Sequence, residues 1–250
     1  MDVKNRVVLV AGAATDSGAA ISLRLAKEGA TIVLADSDKA AIVSLEKKIV
    51  AGGDKAIAWE VNMSNEAGVN MTVQAIAAEF GSIDVLINCM DMPERQSVLQ
   101  TSLELWRSLI DANLTAVFLF TKAVIPIMKE KKYGRIVNLN DFDYLGMSGR
   151  SSYSAVKAGL FGLTRALALE LAAEGITVNT VVKGEIKAAD VDLSEEQLAA
   201  AEKRMPVGRM GTADDIAYAV SHFASSSSKY ITGQTLFVCG GKSLYASMAI

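Results

Sequence analysis

The chain is sparing with the residues that stitch or ligate. Among 250 residues there are two cysteines, one histidine and three prolines. Cys89 and Cys239 lie far apart and without metal-ligand spacing, which excludes a disulfide framework and a zinc or iron–sulfur cluster. A reducing cytosol is the natural setting. The lone His222 sits in an Ala/Val/Phe helical pattern and is read as a packed or surface residue, not a catalyst. Charge of one sign is also lacking. The net charge is −3 and no Lys/Arg block stands out, so nucleic acid is not an expected partner. Long hydrophobic runs are missing too. The most apolar stretch, Leu114 to Met128, is interrupted by Lys122 and Pro126 and is shorter than a membrane span. Met1-Asp2-Val3-Lys4-Asn5 leads straight into a strand pattern, so neither a signal peptide nor a membrane partner is expected.

What is present is an apolar, regularly punctuated chain, 51% hydrophobic and 21% charged. Short β-branched runs fall at 6–10, 31–35, 56–61, 83–88, 135–139, 176–182 and 234–239. Helical segments with apolar residues three and four apart lie between them, such as Ile42, Leu45, Ile49 and Val69, Val73, Ile76, Phe80. Thr101 with Glu104 reads as a capping box; Gly29 and Gly52-Gly53 follow helix ends. Strands that alternate with helices and are apolar on both faces require a parallel sheet covered on both sides. The expected fold is α/β: one Rossmann-type doubly wound domain over residues 1–250, with a seven-stranded parallel sheet. No repeat, linker or low-complexity tract interrupts it. A polar helix, DVDLSEEQLAAAEKRM, occupies the segment 187–206. Ligands in such folds bind outside the carboxyl ends of the strands. The segment is therefore either a substrate lid or an ordinary surface helix.

The first strand runs into AGAATDSGAA, and much further on the chain reads Tyr153-Ser154-Ala155-Val156-Lys157. A tyrosine four residues before a lysine is a weak signal alone. Its context is specific: GRIVNL before it, AGLFGLTRALALELA after it, then ITVN, GRMGTADDIA and YITGQTLFV. In that order and spacing the whole chain resembles a short-chain dehydrogenase/reductase. The resemblance implies that Tyr153 exchanges a proton with a substrate hydroxyl or carbonyl. It implies that Lys157 holds the nicotinamide ribose and lowers the phenol's pKa from its ordinary ~10, and that Asn113 anchors a water relay. On the cofactor side it implies roles for Gly12, Gly18, Asp36, Asn62, Asn88 and Ile186. An acid at Asp36 suits a free ribose and so NAD rather than NADP.

Several positions depart from the family's pattern. The carbonyl-polarising serine is absent: alignment on GRIVN puts Asp141 there, and counting back from Tyr153 puts Asn140 there. Neither offers a hydroxyl, and an inward Asp141 would raise the pKa of Tyr153. Asp16 replaces the middle glycine of the phosphate loop. A carboxylate 4 Å from a phosphate costs roughly 4 kcal/mol at an effective dielectric of ~20, about three decades of affinity. A left-handed backbone there would add roughly 1 kcal/mol; alternatively Asp16 caps the helix beginning near Ser17. Asn88-Cys89-Met90-Asp91 stands for Asn-Asn-Ala-Gly, adding bulk and an acid; Lys183-Gly184 stands for Pro-Gly, Ala188 for a threonine and Cys239 for an aspartate.

Three readings follow. The chain is a silent family member that kept its fold and pairs with an active short-chain paralogue in a hetero-oligomer, a heterotetramer by the family's habit, as in a hydroxyacyl-CoA dehydrogenase of anaerobic toluene breakdown. NAD then serves the active assembly and this chain does not bind it. Alternatively it is an active NAD-dependent dehydrogenase of secondary alcohols or ketones, homo-oligomeric, with Asn140 or Asp141 for serine. The third reading is a ligand sensor using the cleft. Each takes a small-molecule substrate or ligand.

Overall fold

The computed structural model describes residues 2–187 and 193–244. Seven strands form one parallel sheet in the order β3-β2-β1-β4-β5-β6-β7. They are β1 Val7–Ala11, β2 Thr31–Asp36, β3 Lys55–Glu60, β4 Val85–Asn88, β5 Gly134–Asp141, β6 Ile176–Lys183 and β7 Thr235–Val238. Each expected strand is present, within about two residues at its ends. The helices are α1 Asp16–Lys27, α2 Lys39–Ala51, α3 Glu66–Phe80, α4 Leu103–Ile110, α5 Ala116–Lys131, α6 Ser151–Leu171, α7 Glu195–Lys203 and α8 Ala213–Ala224.

Strand side chains alternate between two cores, as the pleat demands. Val8 and Val10 of β1 join Ile21, Leu25, Ile42, Val220 and Phe223 of α1, α2 and α8. Val7, Leu9 and Ala11 join Val73, Phe120, Val124 and Leu160 of α3, α5 and α6 on the other face. Burial on both faces is why the strands read as continuous apolar runs. Strand order reverses between β1 and its neighbours β2 and β4, and a crevice opens there at the carboxyl ends, where this fold places ligands.

Local details amend the sequence reading. Ser102, not Thr101, caps α4: its hydroxyl accepts from Leu105 N at 3.1 Å, while the Thr101 hydroxyl donates to Ser97 O at 2.9 Å. α4, a π-helical turn over Asp111–Thr115 and α5 run on as one helical stretch, Leu103–Lys131, of 29 residues. That stretch is longer than the apolar run suggested and reaches membrane-spanning length, yet half of its most apolar window is buried against the rest of the protein. The polar helix in 187–206 is α7, with a reciprocal capping box between Ser194 and Gln197. His222 is exposed on α8.

Candidate active site

The crevice at the switch point is a cavity of about 350 Å³ whose walls include Gly12, Asp36, Asn62, Met90 and Asp91. Gly12 follows β1 with φ of 85°, and a Cβ there would lie 2.7 Å from the Cys89 carbonyl carbon. A Cβ on Gly18 would collide with Gly12 O, so these two glycines let the turn fold back on itself. Asp36 closes β2 and accepts from Ala14 N at 3.0 Å and Asp38 N at 3.1 Å, which fixes its carboxylate at the cavity wall. Asn62 accepts from Ser64 N at 3.1 Å.

Asp16 differs from both sequence-based expectations. Thr15 is the cap of α1: its hydroxyl accepts from Gly18 N at 3.0 Å and donates to Gly12 O at 2.9 Å. Asp16 is therefore the first helical residue. Among the described residues only Asn5 and Lys132 are non-glycines with positive φ, so no left-handed cost arises at Asp16. Its residue is exposed, and solvent lowers the repulsion of a phosphate at 4 Å towards ~1 kcal/mol. In the first turn the carboxylate also meets the favourable end of the helix dipole.

Two other positions assigned to the cofactor side lie off the cavity wall. Asn88, 1% exposed, donates to Asn138 Oδ1 at 2.8 Å and Thr121 Oγ1 at 3.3 Å. From Asn138 the row continues through Thr164 to Thr180, crossing the sheet as buried polar links. Ile186 pairs with Gly211 in an isolated parallel bridge and packs against the α1–α8 core. Ala188 lies outside the described residues.

Four elements bring the reacting positions together. α6 presents Tyr153 and, one turn on, Lys157; each is 1% exposed. The coil after β4 supplies Asp91, and the ends of the adjacent strands β5 and β6 supply Asp141 and Lys183, which are register partners. The Tyr153 hydroxyl donates to Asp91 Oδ1, and Lys183 Nζ donates to Asp91 Oδ2. Lys157 Nζ lies 3.4 Å from Asp91 Oδ1 and donates to Met90 O at 3.3 Å. Lys183 Nζ also lies 3.4 Å from Asp141 Oδ2. Asn113, on the π-helical turn, accepts from Met92 N at 2.9 Å and donates to Met92 O at 3.2 Å and to Leu109 O at 3.0 Å.

Of the two residues competing for the serine's place, Asp141 faces the cleft. Asn140 turns away, donating to Lys157 O at 2.9 Å and accepting from Asp141 N at 2.9 Å. Asp141 accepts from Asp143 N at 3.0 Å, so it also starts the turn Phe142–Leu145.

The electrostatics are those of a balanced cluster: two carboxylates, Asp91 and Asp141, with two ammonium groups, Lys157 and Lys183. Burial alone would push the Asp91 carboxyl up, but Lys157 and Lys183 outweigh it and hold it well below the usual carboxylate range. Burial lowers Lys183, and Asp91 and Asp141 more than offset this, leaving its ammonium firmly charged. Burial raises the Asp141 carboxyl, opposed in part by Lys183. For Tyr153 the influences add: burial first, then the charges of Asp91 and Asp141, drive the phenol far above its ordinary value. The acid that Asp91 adds to the family's pattern is not a bare negative charge, because Lys157 and Lys183 pair with it. Lys183, whose role the sequence left unassigned, is the residue that completes the cluster. The signal was present in the strand order: departures at the ends of β4, β5 and β6 carry opposite charges on neighbouring strands.

These features define a class. The chain matches the family model described as enoyl-(acyl carrier protein) reductase over residues 12–243. It is 40% identical over 250 residues to the (2S)-[(R)-hydroxy(phenyl)methyl]succinyl-CoA dehydrogenase subunit BbsC of Thauera aromatica, covering 98% of this chain and 97% of that one. Subunit BbsD of the same organism is 38% identical over 247 residues, covering 98% and 100%. The 3-oxoacyl-[acyl-carrier-protein] reductase FabG of Escherichia coli is 35% identical over 244 residues, covering 96% and 98%. A crystal structure from Burkholderia xenovorans, described as a short-chain dehydrogenase/reductase, superposes with a TM-score of 0.91 at 30% identity, covering 97% and 98%. The chain belongs to the short-chain dehydrogenase/reductase family.

Proposed function

We propose that this chain is a catalytically silent subunit of an NAD-dependent hydroxyacyl-CoA dehydrogenase, stabilising an active short-chain paralogue in a cytosolic hetero-oligomer. The observation that carries this reading is the hydrogen bond from Tyr153 to Asp91. General base chemistry needs a phenol that gives up its proton near neutral pH. Here the proton rests on a buried phenol beside a carboxylate, and the lysine meant to promote its loss is engaged by that same carboxylate. At the position of the missing serine stands Asp141, which offers no hydroxyl and accepts from Asp143 N. Losing one preorganised donor typically costs about 10²–10³ in rate.

The cleft fits a dinucleotide only in part. Gly12, Gly18, Asp36 and Asn62 retain a shape suited to an adenosine ribose and base. When bound, NAD would supply the hydride acceptor. On the far side Met90 and Asp91 line the wall, and Lys157 donates to Met90 O instead of standing free for a second ribose. That half does not fit, so no catalytic step is assigned to this chain. The open adenosine side supports a second reading, an active NAD-dependent dehydrogenase with Asp141 at the serine's position.

Assembly is supported by an apolar face that the fold leaves open. Between α5 and α6 lies a shallow groove of about 440 Å³ lined by Leu114, Phe118, Gly159, Gly162, Leu163 and Ala166. Phe118, on this groove, is 47% exposed, and Leu169 further along α6 is 85% exposed; exposed apolar side chains gathered on one face mark an interaction surface. The relatives BbsC and BbsD are both named as subunits of one dehydrogenase, which suits a partner of the same family.

Calorimetric titration of the purified chain with NAD tests the reading, alongside co-expression with a paralogue that has the serine and the three loop glycines. Absence of saturable heat, with co-purification of an active complex, is the expected result. Tight NAD binding by the chain alone would overturn it and favour the active-enzyme reading.

A further inference from the structure

Tyr153 Oη, Lys157 Nζ and Lys183 Nζ reach the catalytic end of the cleft from two separate elements, α6 and the end of β6. All three converge on the two oxygens of one carboxylate, with Tyr153 and Lys157 on Oδ1 and Lys183 on Oδ2. A carboxylate met by two ammonium groups and a hydroxyl is the arrangement by which proteins recognise a carboxylate ligand. The carboxylate here belongs to the chain itself, on a coil residue and not on the scaffold. Its neighbours tie it in place: Cys89 N donates to Ala11 O at 2.7 Å on one side, and Asn113 holds both backbone groups of Met92 on the other.

We propose that Tyr153, Lys157 and Lys183 form a carboxylate-binding site whose resident ligand is the chain's own Asp91. The site takes one small carboxylate, and Asp91 fills it permanently, so a substrate oxygen or carboxylate finds no vacancy beside Tyr153. This deepens the silent-subunit reading by naming what closes the site. It also gives Tyr153 and Lys157 a use in a chain that does no chemistry: removing one member of a buried charge group strands the others and is strongly destabilising.

The test is to empty the site and offer a carboxylate from solution. Asp91→Gly is made in the full chain, and thermal unfolding is followed in sodium acetate against sodium chloride at equal ionic strength. Asp91→Gly should melt below the unaltered chain and regain stability saturably with acetate, by about 3–6 °C at ten times its dissociation constant. The unaltered chain and Asp91→Gly/Lys183→Met should show no acetate-specific rise. An Asp91→Gly protein that responds to acetate no more than to chloride, or a response that survives Lys183→Met, would overturn the proposal. If Asp91→Gly does not fold, Asp91→Asn serves, read by ultraviolet titration of the Tyr153 phenol with Tyr153→Phe as the blank. The phenol should then ionise at lower pH than in the unaltered chain; an unchanged titration would also overturn the proposal. Turnover by the isolated chain would defeat the silent-subunit reading on its own, without deciding the acetate result.

Discussion

The Tyr153 hydroxyl and the Asp91 carboxylate share a hydrogen bond at the catalytic end of the cleft, with the phenol as donor. In the family a tyrosine at this place passes a proton to or from substrate; here its proton already has an acceptor. Because Lys157 and Lys183 hold the carboxyl well below the usual range, Asp91 is a weak base and does not take the proton outright. The pair is a closed donor–acceptor contact, which supports the silent-subunit reading.

That ordering has a consequence for stability in acid. Asp91 has a folded-state pKa depressed below the ordinary ~4. Its contribution is fully present above the unfolded value and is lost as pH falls through the folded one. Urea unfolding between about pH 5 and pH 2 should show stability falling steeply in the unaltered chain. Asp91→Asn should start less stable and show a shallower fall, whereas equal slopes would mean Asp91 is not held as described.

The polar row across the sheet predicts a second cost. Asn138 accepts from Asn88 and donates to Thr164, all of them buried. Asn138→Ala removes one hydrogen-bond partner each from Asn88 and Thr164 and opens a small cavity. A loss of about 2–5 kcal/mol is expected from chemical denaturation. A loss under ~1 kcal/mol would indicate that the row is not a structural element.

Much of this was legible in the sequence, for physical reasons that also mark the limits. The strands were readable because a parallel sheet buried on both faces demands short runs rich in β-branched residues, such as Val7–Val10 and Ile176–Val182, set between helical segments. Cap positions were off by one because adjacent residues compete: Thr101 and Ser102, like Thr15 and Asp16, are both able to cap, and backbone geometry decides. The cost assigned to Asp16 was too large because exposure is a tertiary property. Asp91, Asp141 and Lys183 were each visible as departures from the family's pattern. Their mutual pairing was not, because it joins residues up to 92 apart through the sheet order.

The revised environment of Asp16 predicts a modest rescue. Asp16→Gly should raise NAD affinity by no more than about tenfold and leave turnover undetectable. A gain of three decades in calorimetry would restore the larger, buried-charge penalty.

The open face between α5 and α6 predicts that Phe118→Glu weakens assembly without unfolding the chain. Phe118 is half exposed and not a core residue, so circular dichroism should be unchanged while sedimentation shifts towards monomer. A variant that sediments as the unaltered protein would place the interface elsewhere.

The most direct measurement is steady-state oxidation of a β-hydroxyacyl-CoA by the isolated chain in a large excess of NAD, beside its Tyr153→Phe variant. No turnover above background is expected in either protein, since the phenol's proton is held by Asp91 and the serine's hydroxyl is missing. Turnover by the unaltered chain that disappears in Tyr153→Phe would contradict it.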